Sequence, residues 1–411
     1  MLVGFFSYNA HILLQGTIEH INILKNLCQD FFCKEFQKKS KFVLKMAKKT
    51  VKINEKKYVL ATDIALNTLG NERFKKIRKS DLSFSDLWIS PDNIIQNTLG
   101  KEEYVEKFLK NRKGIDPDTE FEKLKKQDIS FVTILDEGYP KLLKEVFSPP
   151  VVLYYKGDIS ILDKPTLAVV GSRKFTVYGK NATEKIVSGL AQAKIVIVSG
   201  MALGIDTFAH ETALYEKGET VAVLGCGLDK PYPVTNTNLF NKIIKSGGLV
   251  MSEYMPGKPP LSQHFPARNR IVSGISKGVL IVEGNIKSGA LITARDALEQ
   301  NRDVFAVPGP IFGESSSGTN QLLKMGANPV TGAEDILEYY GHKTENKRNV
   351  QWKPANDNES AIFGVLKNEE FHIDEIIQKS GLDGQTVNST LTLMEIKGKV
   401  KNLGGMIYTL T

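Results

Sequence analysis

The segment Gln263-His264-Phe265-Pro266-Ala267-Arg268-Asn269-Arg270 places an aromatic ring, a proline and two guanidinium groups within eight residues, just ahead of an apolar helical run. Arginine offers planar, bidentate recognition of phosphate. A neighbouring phenylalanine offers a face on which an unpaired base can stack. A second basic pair, Arg173 and Lys174, stands in the turn Gly171-Ser172-Arg173-Lys174-Phe175, and Lys287 stands in a third. These residue types suit phosphates and bases better than a small metabolite. The plain alternative is a buried phenylalanine with two surface arginines. On a regular helix, Arg268 and Arg270 point about 200° apart and cannot share one phosphate row. One of them is therefore assigned to the structure and Arg268 to the site.

Such groups need a scaffold that brings distant turns together. Apolar runs at 167–170, 195–198, 221–224, 249–251, 279–282 and 304–307 alternate with stretches of helical length, the pattern of a doubly wound α/β fold with a parallel sheet. The runs end in small residues, at Gly171-Ser172, Ser199-Gly200, Gly225-Cys226-Gly227, Ser252, Gly284 and Pro308-Gly309. Those turns fall on the carboxyl edge, where open α/β sheets bind ligands. Helices beginning at Gly204-Ile205-Asp206 and Ser288-Gly289-Ala290 add free amides that favour an anion. Cofactor motifs do not fit. The first turn is not GxGxxG, and Gly284-Asn285-Ile286-Lys287-Ser288-Gly289 continues into Ala290-Leu291 where a phosphate-binding loop needs Lys-Ser/Thr. No cofactor, metal or ATP hydrolysis is expected. Asp206, His210, Asp229, Glu253 and Glu283 form no ordered nucleophile, base and orienter. They read as structural, with Asp206 compensating a helix N-terminus and His210, one turn later, packed with it in a hydrogen-bonded pair.

The 411 residues and 41% hydrophobic content predict two or three domains. Ten lysines against two glutamates in residues 34–57 account for the whole formal charge of +8, so net charge alone does not argue for nucleic acid. Cys28, Cys33 and Cys226 form no ligand cluster and suit a reducing, cytoplasmic compartment. No signal peptide or membrane span is expected. Met46, followed by Ala-Lys-Lys-Thr, is an alternative start to Met1, which makes 1–45 a possible upstream extension. A helical domain, SAM- or helix-hairpin-helix-like with an ordinary packed helix pair preferred at its glycine turn, is expected over 46–135 and the ligand-binding α/β domain over 136–340, with 151–155 entering as an edge strand. A polar linker over 341–358 leads to a winged helix over 359–411, whose candidate recognition helix carries no Lys or Arg before Lys397. Duplex reading by that helix is doubtful, and a protein-contact or autoregulatory role is as good a reading.

The motifs, taken in order, resemble the DNA-processing protein A family (DprA, also called Smf). The resemblance covers roughly 136–340. It is carried by Val170-Gly171-Ser172-Arg173, by Ser199-Gly200-Met201-Ala202-Leu203-Gly204-Ile205-Asp206 with Ala209-His210, by Gly225-Cys226-Gly227-Leu228-Asp229 with Tyr232-Pro233, and by Ser252-Glu253. It continues through residues 265–276, Ser288-Gly289-Ala290, Val307-Pro308-Gly309, Ser317-Gly318-Thr319-Asn320 and Gly326-Ala327. It implies a Rossmann-like domain that binds single-stranded DNA, a homodimer, and loading of the RecA recombinase during natural transformation. The implied DNA contacts are Gly171, Ser172, Arg173, Lys174, Gly200, Gly204, Phe265, Arg268, Asn269 and Arg270. A dimer seam built from Leu322, Leu323, Met325, Ile336 and Leu337 is one reading of those apolar residues, and packing onto the sheet is the other. Two further alternatives stay open: a phosphoribohydrolase-like nucleotide enzyme, whose PGGxGTxxE motif is missing here, and a protein-interaction scaffold.

Overall fold

The computed structural model describes residues 55–342, 354–367 and 369–410. The possible extension 1–45, Cys28 and Cys33, and most of the basic run and of the linker lie outside them. The described chain divides into two compact units, the first ending at Tyr339 and the second beginning at Tyr340. No helix among the described residues is long and apolar enough to cross a membrane.

The first unit is organised by a nine-stranded sheet in the order β1-β2-β6-β5-β4-β3-β7-β8-β9. Its strands are β1 (Ser130–Thr133), β2 (Val152–Gly157), β3 (Thr166–Val170), β4 (Val196–Ser199), β5 (Thr220–Leu224), β6 (Leu249–Ser252), β7 (Gly278–Ile281), β8 (Asp303–Ala306) and β9 (Asn328–Pro329). All neighbours from β6 to β9 pair in parallel, whereas β1 with β2 and β2 with β6 pair antiparallel. The edge strand is thus β1, which begins ahead of residue 136 and covers the segment expected to be the edge. β3 to β5 are buried along their whole length, as apolar runs flanked on both faces must be. The helices around the sheet are α1 (Val177–Gln192), α2 (Ile205–Tyr215), α3 (Thr237–Lys245), α4 (His264–Gly274), α5 (Gly289–Glu299) and α6 (Ser317–Lys324). The strand order reverses between β3 and β7, and the crevice that opens there is where ligands enter such folds.

Alternate residues of a strand face opposite layers, and here the layers differ. Leu153, Val221, Val223, Leu249 and Met251 join a core with Ile271 and Val272 of α4 and Ala290 and Ala294 of α5. Val152, Tyr154, Ala222, Leu224 and Val250 join a second core with Phe84, Leu87, Ile95 and Phe108 of the helices between 55 and 126. That helical segment is therefore not a separate body, because its apolar faces are closed by the sheet. Buried in the joint, Asp63 accepts the Leu69 amide at 2.7 Å and the Tyr154 hydroxyl at 2.8 Å. Of the candidate dimer residues, Leu322, Ile336 and Leu337 are buried within the unit and only Met325 is strongly exposed.

The second unit is a winged helix. Helices at Asp357–Leu366, Ile373–Ser380 and Gly384–Ile396 pack on a three-stranded antiparallel sheet, β10-β12-β11, of β10 (Phe371–His372), β11 (Val400–Gly404) and β12 (Ile407–Leu410). Ile362, Ile376, Val387, Leu391 and Tyr408 form its core. The expected hairpin is present, and β10 adds a third strand to it.

Candidate nucleic-acid interface

The turns after β3 and β7 and the first turns of α2, α4 and α5 converge on an open cleft of about 1060 Å³ at the carboxyl edge. Each wall has a local cause. The Ser172 amide donates to Glu283 O at 2.7 Å, which ties the β3 turn to the end of β7. The Ile205 amide donates to Ser172 O, and Gly204, at φ +82, lets the start of α2 pass so close that a Cβ would sit 2.4 Å from Ser172 O. Ser172 Oγ accepts the Lys174 amide at 3.0 Å and donates to Lys174 O at 2.7 Å, a turn that turns the Arg173 and Lys174 side chains outward. Opposite them, His264 Nδ1 donates to Gly225 O at 3.2 Å and anchors the start of α4, which presents Phe265.

The Arg173 guanidinium carbon lies 5.4 Å from the centre of the Phe265 ring, and the Tyr232 ring lies 5.6 Å from it at a tilt of 49°. Among the described residues, Arg173, Lys174 and Lys287 have neither an acidic partner nor a side-chain hydrogen bond, and all three are exposed. A cation held beside an aromatic face at the mouth of an open cleft can pair a phosphate while the ring takes a base.

Gly171, Ser172, Arg173, Lys174, Phe265, Arg268 and Asn269 line this cleft. Gly200 and Gly204 stand behind its wall, and Arg270 faces elsewhere, paired with Glu253. Arg268 and Arg270 do leave α4 in different directions, as their spacing requires. Arg268 lines the floor yet is only 4% exposed, and its Nη1 donates to Gly200 O and Val223 O. Nearby, the Asp206 carboxylate accepts the Gly200 and Ala202 amides and acts on the guanidinium through space. Burial pushes the Asp206 pKa up and that of Arg268 down, and each charge opposes the shift of the other. The arginine remains protonated. Arg268 is thus a fixed positive charge beneath the cleft, with its Nη1 and Nε already engaged by the protein.

The Asp206–His210 pair expected from their spacing is not formed. His210 Nδ1 meets Thr220 Oγ1 at 2.7 Å, and the Thr220 hydroxyl donates to Ile197 O. The imidazole therefore carries its proton on Nδ1, and its Nε2 is buried without a partner. Burial, with Arg268 adding to it, lowers the His210 pKa to about 3. Glu283 is 2% exposed and its Oε2 accepts the Thr176 amide at the start of α1, away from the cleft. Tyr232, Asn285 and Ser315 also line the cleft and are not among the contacts expected from the sequence. The Tyr232 signal was its place on the loop after β5, on the same sheet edge.

Fold and cleft together define a Rossmann-like protein with a basic, aromatic-lined cleft at its carboxyl edge, joined in sequence to a winged helix. The chain belongs to the DNA recombination-mediator protein A family, whose model matches residues 130–341, starting at β1; the DprA winged helix domain matches 351–406. It is 48% identical over 205 residues to DNA processing protein DprA of Streptococcus pneumoniae, covering 50% of this chain and 72% of that one. Against DNA processing protein DprA of Bacillus subtilis it is 41% identical over 229 residues, covering 56% and 75%. The X-ray structure of DNA processing protein A from Streptococcus pneumoniae superposes with a TM-score of 0.61 at 39% identity, covering 69% of this chain and 97% of that one.

Proposed function

We propose that the chain binds single-stranded DNA across the carboxyl edge of its sheet and, as a homodimer, hands it to a RecA-type recombinase during recombination and the uptake of transforming DNA. The observation that carries this reading is Arg173, which among the described residues has no acidic partner and lies against Phe265 at the mouth of an open cleft. Phosphates pair with Arg173, Lys174 and Lys287, a base stacks on Phe265, Asn269 reaches an adjacent group, and Arg268 supplies a buried positive field. Gly171, Ser172, Gly200 and Gly204 shape the turns. A duplex does not offer its base faces to a ring, so the reading favours the single strand. Binding rather than bond-making is supported by the enclosure of Glu283 and His210 in the fold and by the engagement of the Asp206 carboxylate with the Gly200 and Ala202 amides. The test is fluorescence anisotropy of labelled oligo-dT and of a duplex across a salt series, with wild type and Phe265→Ala. The expected result is preference for the single strand, reduced by roughly 1–3 kcal/mol in the variant with the salt slope little changed. Equal, weak binding of both nucleic acids would overturn it.

A further inference from the structure

The loop between β8 and α6 displays two adjacent large apolar side chains, Ile311 at 83% exposure and Phe312 at 96%. The loop is braced rather than loose. Pro308 O accepts the Tyr178 hydroxyl at 2.6 Å, and Gly309 exchanges hydrogen bonds with the Asn320 side chain at 3.3 and 3.1 Å. The Gly313 amide closes the tip onto Pro310 O at 3.0 Å, and Ser315 O accepts the Gly284 amide at 2.7 Å. A single exposed apolar residue needs no explanation. Two together on a cross-braced loop at the rim of the cleft are different, because a backbone already ordered leaves only side-chain entropy to be lost when they make a contact.

Continuity points to the occupant. Glu314 and Ser315, just beyond Phe312, line the same cleft as Arg173 and Phe265. β8 stands beside β7, on the opposite side of β7 from β3, so this rim continues the line of turns past the β3/β7 crevice. Lys287 and the exposed Ile286 lie on the intervening β7–α5 loop. Glu314 repels phosphate, so a strand that keeps its backbone over Arg173, Lys174 and Lys287 presents bases at this rim.

We infer that Phe312, flanked by Ile311, is a second base-stacking platform for single-stranded DNA, on the side of the cleft toward β8 and away from Phe265. The inference rests on the proposed function. A strand long enough to span the crevice meets two rings and a short one meets only the first.

The test uses the full chain and oligo-dT of about 5 and about 20 nucleotides, within and beyond the range of single-strand site sizes. Phe312→Ala with Ile311→Ser is compared with Arg173→Ala. The expected result is roughly a tenfold loss on the long oligonucleotide, little change on the short one, and an unchanged salt slope. Phe312→Trp retains binding, and its emission is quenched by the long oligonucleotide alone. If the Phe312 and Ile311 variant binds both lengths as wild type does while Arg173→Ala loses both, the second platform is wrong and the proposed function stands. A drop in oligomeric state of that variant by sedimentation, with binding intact, would assign the loop to a protein contact and overturn the inference in favour of that surface. If Arg173→Ala also binds normally, the proposed function itself fails.

Discussion

A Cβ on Gly200 would lie 2.5 Å from Nη2 of Arg268 and 2.8 Å from Oδ2 of Asp206, closer than side chains ever approach. The glycine at the end of β4 is therefore the space in which a buried cation and its carboxylate are held, and the cleft floor depends on it. Gly200→Ala is expected to cost about 1–3 kcal/mol of stability as the guanidinium is displaced. Arg268→Ala is expected to cost about 3 kcal/mol or more, because it strands the Asp206 charge in the interior. Urea unfolding checks both; an unchanged midpoint in Arg268→Ala would mean that the guanidinium does not hold the floor together.

Arg173 should behave in the opposite way. Because Arg173 is exposed and, among the described residues, has no acidic partner, its replacement by alanine is expected to leave stability within about 0.5 kcal/mol of wild type. It should also lower the slope of log affinity against log salt by about 0.7, the share of one phosphate on a single strand. Anisotropy titrations at several salt concentrations decide this, and a slope equal to that of wild type would remove Arg173 from the phosphate row.

Asp63 gives a pH signature to the joint between the helices and the sheet. Burial raises its pKa from 3.8 to about 6, so the folded state favours the neutral acid. Its contribution to stability is complete below 3.8 and is lost as pH rises through about 6, a difference of about 3 kcal/mol. Asp63→Asn should therefore be more stable than wild type at neutral pH and close to it in acid. A stability difference that does not vary with pH would show that the carboxyl does not titrate in the folded protein.

His210 carries the reverse sign. Its pKa falls from 6.5 to about 3 on folding, so its contribution is present above 6.5 and is lost as pH falls below that value. Wild type should lose about 2 kcal/mol from this group between roughly pH 6.5 and 5, and His210→Gln should lack that component. Paired urea melts at the two pH values measure it, and parallel behaviour of the two proteins would refute it.

The apolar runs that end in small residues made the parallel sheet and its ligand-binding edge legible from sequence, because a strand buried on both faces has no choice of composition. β1 was missed: Ser-Phe-Val-Thr is four residues long and pairs antiparallel at an edge, which leaves little pattern. The helical segment was read as helical, but periodicity tells only which face is apolar, not that Val152, Tyr154 and Leu224 cover it. In the cleft, residue types pointed to Arg173 and Phe265. That Arg268 is enclosed under Gly200, and that His210 turns to Thr220, are contacts between segments far apart in sequence, and no local spacing encodes them.

The core shared by the helices and the sheet also sets a timetable for synthesis. The helices between 55 and 126 leave the ribosome first, whereas the strands that cover them, β2, β5 and β6, are complete only at Ser252. Until then Phe84, Leu87, Ile95 and Phe108 have no sheet to close over them, and the nascent chain carries an open apolar face while about a third of its length is made. At about 5–20 residues per second that interval lasts on the order of ten seconds, during which the new chain depends on chaperones or on provisional contacts among its own helices.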